Sequence, residues 1–380
     1  MNQVLTPSLR FEEFQDNWEL KNLKDVFELK YGKDHKHLNQ GIYPMLGSGG
    51  IMRYVDSYLY NQPSILIGRK GTIDKPLFIT TPFWTVDTLF YTIIKQGQEP
   101  YFVYSLAQTI NWYKYNEATG VPSLNTSGIY SVPVYVPLIK EQQKIASCLT
   151  SVDSKISQLT EKHRLLKEYK KGVMQQVFSQ QLRFKDEDGK AFPEWKSMSL
   201  DDVLLIQSDS LKMEDNESYK LITVKRRFGG ITSRGNYLGK NVLVKNQFTI
   251  HEDEFVISKR QIVHGACGLV PKELEGAIVS NEYNVFRPVA DKLDLDYFNR
   301  FSTTPYMRRS YFINSDGVHI EKLLFKTQSW LKTRVELPCL KEQQKIAQFL
   351  QSIDKKIAEV AQQVERTKQF KKGLLQQMFV

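Results

Sequence analysis

The residue combinations in this chain that could do chemistry are few, and most fail on context. Glu-x-Lys triplets, which hold a divalent cation in nucleases when a further acid is near, occur at Glu19/Lys21, Glu168/Lys170 and Glu194/Lys196, with Asp188 ahead of the last. They come almost for free where 25% of residues are charged. The last set lies in the polar stretch KDEDGKAFPEWK, not at the end of a core strand. Gly47-Ser48-Gly49-Gly50 suggests a phosphate loop, but no Gly-Lys-Ser/Thr follows. Those glycines suit a turn with positive φ, or a close approach of backbone to a ligand. The 6 histidines show no His-Glu-x-x-His spacing, and there is no Gly-x-Ser-x-Gly elbow, Gly-x-Gly-x-x-Gly or Asn-Pro-Pro-aromatic tetrapeptide. Cys148, Cys267 and Cys339 stand apart, which argues against a disulfide framework and against structural zinc. No catalytic or metal-ligating residue is assigned, and the chain reads as a binding and scaffolding protein.

What remains is binding chemistry. A net charge of +10 and a pI near 9.2 favour polyanionic partners, nucleic acid first. The basic residues gather on glycine-flanked loops. In the first half these are Arg53, Arg69 and Lys70, with His35 and His37 nearby. In the second half Lys225, Arg226 and Arg227 precede Phe228-Gly229-Gly230, followed by Arg234, by Lys259, Arg260 and His264, and by Arg308 and Arg309. Arginine and lysine contact phosphates or read guanine edges in the major groove.

The elements that must carry these loops show up as a duplication. KEQQKIA runs from Lys140 to Ala146 and again from Lys341 to Ala347. At the same offset, residues 140–178 and 341–379 align without a gap, with 19 of 39 positions identical. Pro137 and Pro338 precede the two copies. A weaker echo joins Leu9-Arg10-Phe11 and Trp18 to Leu182-Arg183-Phe184 and Trp195. The chain is therefore two tandem halves, and the period is far too long for a solenoid.

The repeated segment reads as a long helix. Ile145, Leu149, Val152, Ile156 and Leu159 step by four and three, as do Ile346, Leu350, Ile353, Ile357, Val360 and Val364. That narrow seam weakens beyond His163 and Thr367. It needs a partner, because a stripe of this kind is stable only when covered. The other copy, packed antiparallel, is the natural one. A helix of this length spans about 57 Å, with one body expected at each end. Gly172 and Gly373 are expected to loosen the last turns or permit a close contact.

Between the opening segments and the helices lie two bodies expected to be mixed α/β, rich in twisted strands and long loops. ILIGRKGTI (65–73) and FVISKRQIVHGACGLV (255–270) share one logic: an apolar run, basic residues, then a glycine-containing return. FWTVDTLFYTI (83–93) and AIVSNEYNVFRPV (277–289) each read as one alternating, aromatic strand. The expected fold is α+β: two pseudo-twofold-related mixed α/β domains, joined by a pair of long antiparallel coiled-coil helices. The boundaries are 1–139 for the first domain, 140–180 for the first helix, 181–340 for the second domain and 341–380 for the second helix. No run approaches the length of a membrane span and no secretion signal opens the chain, so a cytoplasmic location is expected.

The duplicated helix with its Lys-Glu-Gln-Gln-Lys-Ile-Ala, Asp-x-Lys-Ile and Lys-Lys-Gly-x-x-Gln-Gln-x-Phe motifs, the Leu-Arg-Phe…Trp openings, and ILIGRKGT…PFWTVDTLFY resemble the specificity subunits of type I restriction–modification systems. The resemblance covers essentially the whole chain. It implies a non-catalytic subunit in which each half holds a target-recognition domain and the repeats form an antiparallel spacer. Together the two domains would read an asymmetric, bipartite site in double-stranded DNA. Two methylation subunits would dock on the chain, and restriction subunits would join through them. S-adenosylmethionine, ATP and Mg would then sit on those partners and none on this chain. Glu141, Gln142, Gln143 and Lys144, with Glu342, Gln343, Gln344 and Lys345, are the expected docking faces. The helical pair would act as a ruler of about 17 base pairs. The body-two sequence lacks clear copies of YPMLGSGG and PFWTVDTLFY, so it should read different bases. The alternatives are a coiled-coil interaction scaffold without sequence-specific DNA reading, and a stand-alone nuclease using Glu194 and Lys196.

Overall fold

A computed structural model describes residues 6–320 and 323–380. They form two compact units, Met1–His163 with Glu359–Val380, and Arg164–Ala358. The first unit opens with β1 (Glu19–Asn22), α1 (Leu23–Val26), β2 (Phe27–Tyr31), β3 (Gln40–Gly47), β4 (Gly50–Val55), β5 (Ser64–Gly68) and β6 (Leu77–Ile79). It continues through β7 (Trp84–Thr85), β8 (Leu89–Ile94), α2 (Pro100–Thr109), α3 (Thr126–Tyr130) and β9 (Pro133–Val136) to α4 (Ile139–Phe178). An antiparallel sheet in the order β2-β8-β5-β6 carries the body. Its strand β5 is buried at every residue, so it reads as an unbroken apolar run instead of an alternation. A smaller sheet, β4-β3-β7, pairs β3 antiparallel with β4 and parallel with β7.

The second unit repeats that plan under a different sequence. Its elements are β10 (Lys196–Ser199), β11 (Leu204–Gln207), β12 (Ser210–Leu211), β13 (Ser218–Val224), β14 (Ile231–Leu238), β15 (Gln247–Thr249) and β16 (Phe255–Ser258). Then follow β17 (Cys267–Leu269), β18 (Ile278–Ser280), β19 (Tyr283–Pro288), α5 (Leu295–Phe301), α6 (Pro305–Ile313), β20 (Ser315–Asp316) and β21 (Leu324–Phe325). Last come α7 (Thr327–Leu331), β22 (Arg334–Leu337) and α8 (Leu340–Met378). The sheet β11-β19-β16-β17 matches β2-β8-β5-β6, and β13 lies antiparallel to β14 and parallel to β18 as β3 does to β4 and β7. Strands β12 and β15 are additions. The segments read as one strand each, 83–93 and 277–289, are two strands apiece. They break at Asp87-Thr88 and at Asn281-Glu282, where the chain crosses from the hairpin-bearing sheet (β7, β18) to the other sheet of its unit (β8, β19).

Each body closes on itself where its long helix begins, through pairing of β1 with β9 and of β10 with β22. There the repeated motif acts inward. Glu141 accepts from Arg10 Nε and Nη2, both at 2.8 Å, and from Trp18 Nε1 at 3.2 Å. Glu342 does the same for Arg183 Nε at 2.8 Å, Arg183 Nη2 at 3.0 Å and Trp195 Nε1 at 3.2 Å. The amide of Gln142 accepts from Glu99 N at 2.9 Å and donates to Pro137 O at 2.9 Å. Gln343 accepts from Asp294 N and donates to Pro338 O, both at 2.9 Å. Glu99 and Asp294 cap α2 and α5, so one glutamine ties the start of a long helix to the start of a body helix. The expectation that all eight Glu-Gln-Gln-Lys residues form an exposed docking face is therefore corrected. Glu141, Gln142, Glu342 and Gln343 are at most 2% exposed, because each satisfies buried donors within its own unit.

In the first unit the opening turns of α4 lie against the last turns of α8. Ile145 and Leu149 share a core with Leu374, Met378 and Phe379, and Lys371 Nζ meets Asp153 at 2.7 Å. In the second unit the relation is repeated with the helices exchanged. Ile346, Leu350 and Ile353 share a core with Val173 and Val177, and Lys170 Nζ meets Asp354 at 2.5 Å. The packing is antiparallel, as expected. The seam lapses beyond His163 and Thr367 as expected, with no buried residue over 164–172 or 368–373, and burial resumes only at Val173, Val177, Leu374 and Met378. These late positions enter the cores of the bodies, so their spacing follows the body and not a continuous coiled-coil stripe. Among the described residues a Cβ at Gly172 or Gly373 would meet nothing within 4 Å, so neither glycine serves a close contact with them.

A polar cluster staples the extra strands of the second unit. His251, after β15, bonds Glu275 through Nδ1 at 2.7 Å and Asp209 through Nε2 at 3.2 Å. Arg287 on β19 reaches Asp209 at 3.1 Å and the buried Glu254 at 2.6 Å. The Glu275 hydrogen bond, first among several causes, holds the imidazole pKa above its ordinary value of 6.5.

Two outcomes are expected. Glu342→Ala strands Arg183 and the Trp195 indole and should cost about 2–4 kcal/mol in denaturant unfolding; a loss near zero would remove the clamp from the structure's supports. Because folding raises the His251 pKa, its stabilisation is full below the unfolded value and fades as pH rises through the folded one. The stability gap between wild type and His251→Gln should therefore be wider at about pH 6 than at about pH 8.5. A gap that widens with alkalinity would contradict this.

Candidate nucleic-acid interface

Three turns converge in each unit, and they carry most of the basic candidates. In the first unit these are the β3–β4 tip (47–50), the turn after β5 (69–72) and the β7–β8 turn at Asp87-Thr88. The tip takes positive φ at Gly50, as a tight hairpin requires. Arg69 donates from its backbone N to Thr88 O at 2.9 Å and from Nη1 to Asp87 O at 3.2 Å. A Cβ at Gly71 would stand 3.3 Å from Ser48 Oγ, so the tip and the basic turn are near neighbours. The Arg69 guanidinium lies over the exposed Tyr31 ring at 5.5 Å, and Tyr31 shares a 2.9 Å hydrogen bond with Thr126. Lys70 is exposed beside it. Arg53 stands on β4 and is committed to the backbone of the 35–38 loop, donating to His35 O at 2.9 Å and to Leu38 O at 3.2 Å.

The same three turns meet in the second unit: the β13–β14 tip (225–230), the turn after β16 (259–265) and Asn281-Glu282. Lys259 donates from its backbone N to Glu282 O at 2.9 Å and from Nζ to Asn281 O at 2.6 Å. Arg260 pairs with Glu282 at 2.6 Å. Lys225 N closes the tip on Gly230 O at 2.9 Å, and Arg226 Nε donates to Gln261 Oε1 at 2.8 Å. Arg227 N donates to His264 O at 2.6 Å, and Phe228 N to Gly265 O at 2.8 Å. Arg227 and Phe228 have φ of 59° and 56°, two adjacent non-glycine residues in the left-handed region. Each such residue costs about 1–3 kcal/mol and persists only where its surroundings hold it. Arg234 stands apart on β14, as the extra residue of a bulge opposite Leu221 and Ile222.

Lys225, Arg226, Arg227, Lys259, Arg260 and His264 thus come together in one unit, and Arg69 and Lys70 in the other. Arg53 and Arg234 lie on the second strand of each hairpin. Sequence reading missed Tyr31 and Phe228. An aromatic beside Gly229-Gly230 was the available signal for Phe228. The Lys–Arg turns are positioned by main-chain bonds to the β7–β8 and β18–β19 turns, which no residue pattern announces.

The sequence matches the type I restriction modification DNA specificity domain over residues 15–168 and again over 193–366. It is similar to the type I restriction enzyme MjaVIII specificity subunit of Methanocaldococcus jannaschii, 23% identical, over 95% of this chain and 91% of that protein. It is 22% identical to the Escherichia coli type I restriction enzyme EcoprrI specificity subunit over 41% of each chain. The type I restriction-modification S subunit from M. genitalium has a similar fold, with a TM-score of 0.63, 13% identity and coverage of 99% of both chains. The HsdS subunit from Thermoanaerobacter tengcongensis gives 0.51 at 13% identity, over 95% of this chain and 96% of that one. With the repeated topology and the converging turns, these matches establish that the chain belongs to the type I restriction modification DNA specificity domain family and carries two copies of that domain in tandem.

Proposed function

We propose that this chain is the non-catalytic, DNA-reading subunit of a type I restriction–modification complex, with each unit reading one half of an asymmetric, bipartite target. One observation carries the reading: two bodies of the same topology bring the same three turns together, while the side chains on those turns differ. The first tip is Gly-Ser-Gly-Gly and the second is Lys-Arg-Arg-Phe-Gly-Gly. Equal scaffolds with unequal tips suit two half-sites of unequal sequence.

Two methylation subunits dock on this chain in the proposal, and restriction subunits join through them. S-adenosylmethionine, ATP and Mg belong to those partners. Matched exposed aromatics support two equivalent docking surfaces. Tyr169 and Phe370 occupy the same place in the repeat, are 54% and 59% exposed, and each precedes a Lys-Lys pair. With Glu141, Gln142, Glu342 and Gln343 turned inward, Gln143, Lys144 and Gln344 are the exposed remainder of the earlier docking candidates. The long helices, 40 and 39 residues without a proline, are proposed to set the unread gap of the target.

Reconstitution with methylation subunits tests this reading. Tyr169→Ala and Phe370→Ala should each weaken capture of a methylation subunit by roughly tenfold or more; full capture by the double variant would remove the docking assignment. Adding one helical turn beside both Ser157 and Ala358 should lengthen the preferred gap by about one to two base pairs. An unchanged gap would show that the helices do not set it. Sequence-blind DNA binding by the assembled complex would favour an interaction scaffold instead.

A further inference from the structure

The second hairpin tip carries a feature that the first lacks. The first tip projects nothing longer than a serine, whereas the second presents Arg227, with an exposed side chain, from a left-handed backbone. That backbone is fixed on both sides of the arginine Cα. Arg227 N and Phe228 N are bonded to His264 O and Gly265 O. The Phe228 ring lies against Gly265, where a Cβ would come within 2.7 Å of it, so the contact requires glycine. The Arg308 guanidinium, on α6, covers the ring at 4.7 Å from its centre. Two elements, the turn after β16 and helix α6, therefore hold one short stretch of tip. Three neighbouring basic side chains have internal work: Arg226 on Gln261, Arg260 on Glu282 and Lys259 on Asn281 O.

A phosphate contact needs charge alone and tolerates a mobile base of attachment. A fork-shaped contact to a base edge needs the guanidinium delivered at a set position and angle. We infer that Arg227 is a specificity-determining residue that reads the O6/N7 edge of a guanine in the major groove of the half-site held by the second unit, and that Phe228, Gly265 and Arg308 are positioning residues for it. This rests on the DNA-reading proposal above and adds the residue, the base and the groove.

The test is methylation of a randomised target library by the complete complex, with binding measured across salt concentrations. Arg227→Ala should relax a guanine preference at one position of one half-site by roughly 5- to 150-fold and leave the other half-site intact. Arg227→Lys keeps the charge but not the fork. It should relax the same position with the salt slope of wild type. Arg308→Ala should relax that position in part and no other. Arg227 is exposed, and melting of each variant alongside wild type checks that the fold is kept. Uniform weakening across all sequences, with the salt slope reduced by about one, would mark a phosphate contact and overturn the inference. Relaxation in both half-sites, or at a position that is not guanine, would overturn it too. A wild-type complex without sequence preference would instead defeat the DNA-reading proposal itself, and the inference with it.

Discussion

A buried carboxylate in the first turn of each long helix is the constraint on which both units depend. Glu141 and Glu342 lie where the helix dipole favours negative charge, and each collects an arginine and a tryptophan from a segment more than a hundred residues away in sequence. A carboxylate out of water is tolerable only when fully bonded, so the glutamate dictates where the opening segment must lie. That placement sets β1 against β9 and β10 against β22, and the adjoining glutamine fixes the first turn of α2 or α5. The repeated heptapeptide is thus a joint between body and helix. Its identity in the two halves reflects two copies of one internal fit.

With the joint fixed, the bodies are free to differ in sequence while keeping their strand order. Strand β5 and its counterpart β16 are buried from end to end, and both deliver a basic turn to the same place. The turns between β7 and β8 and between β18 and β19 accept main-chain hydrogen bonds from that basic turn. Backbone bonding is indifferent to side-chain identity. The geometry therefore survives where little of the sequence does.

Much of this was legible in the sequence, and what escaped has identifiable causes. The repeat gave the two halves, the long helices and their antiparallel pairing, because seam residues such as Ile145 and Leu149 repeat at helical spacing. The correspondence of ILIGRKGTI with FVISKRQIVHGACGLV is that of β5 and β16 with the turns after them. Glu141, Gln142, Glu342 and Gln343 were misread because polarity normally means solvent, and only tertiary structure reveals the donors that bury them. Segments 83–93 and 277–289 were read as single strands, because alternation is blind to a change of sheet. The tip at Arg227 and Phe228 could not be foreseen, since left-handed backbone at such residues is imposed by a neighbouring turn and not by local preference.

The small sheet of the first unit has its own apolar group, Leu38, Met45, Val55, Trp84 and Val86, separate from the group that holds the long helices. The hairpin that bears the first tip is rooted there. Replacing that tip therefore places little demand on the main core, and a lineage can sample new loops without approaching its unfolding threshold. Divergence of what is read and persistence of the scaffold that reads it are, on this account, mechanically separate traits.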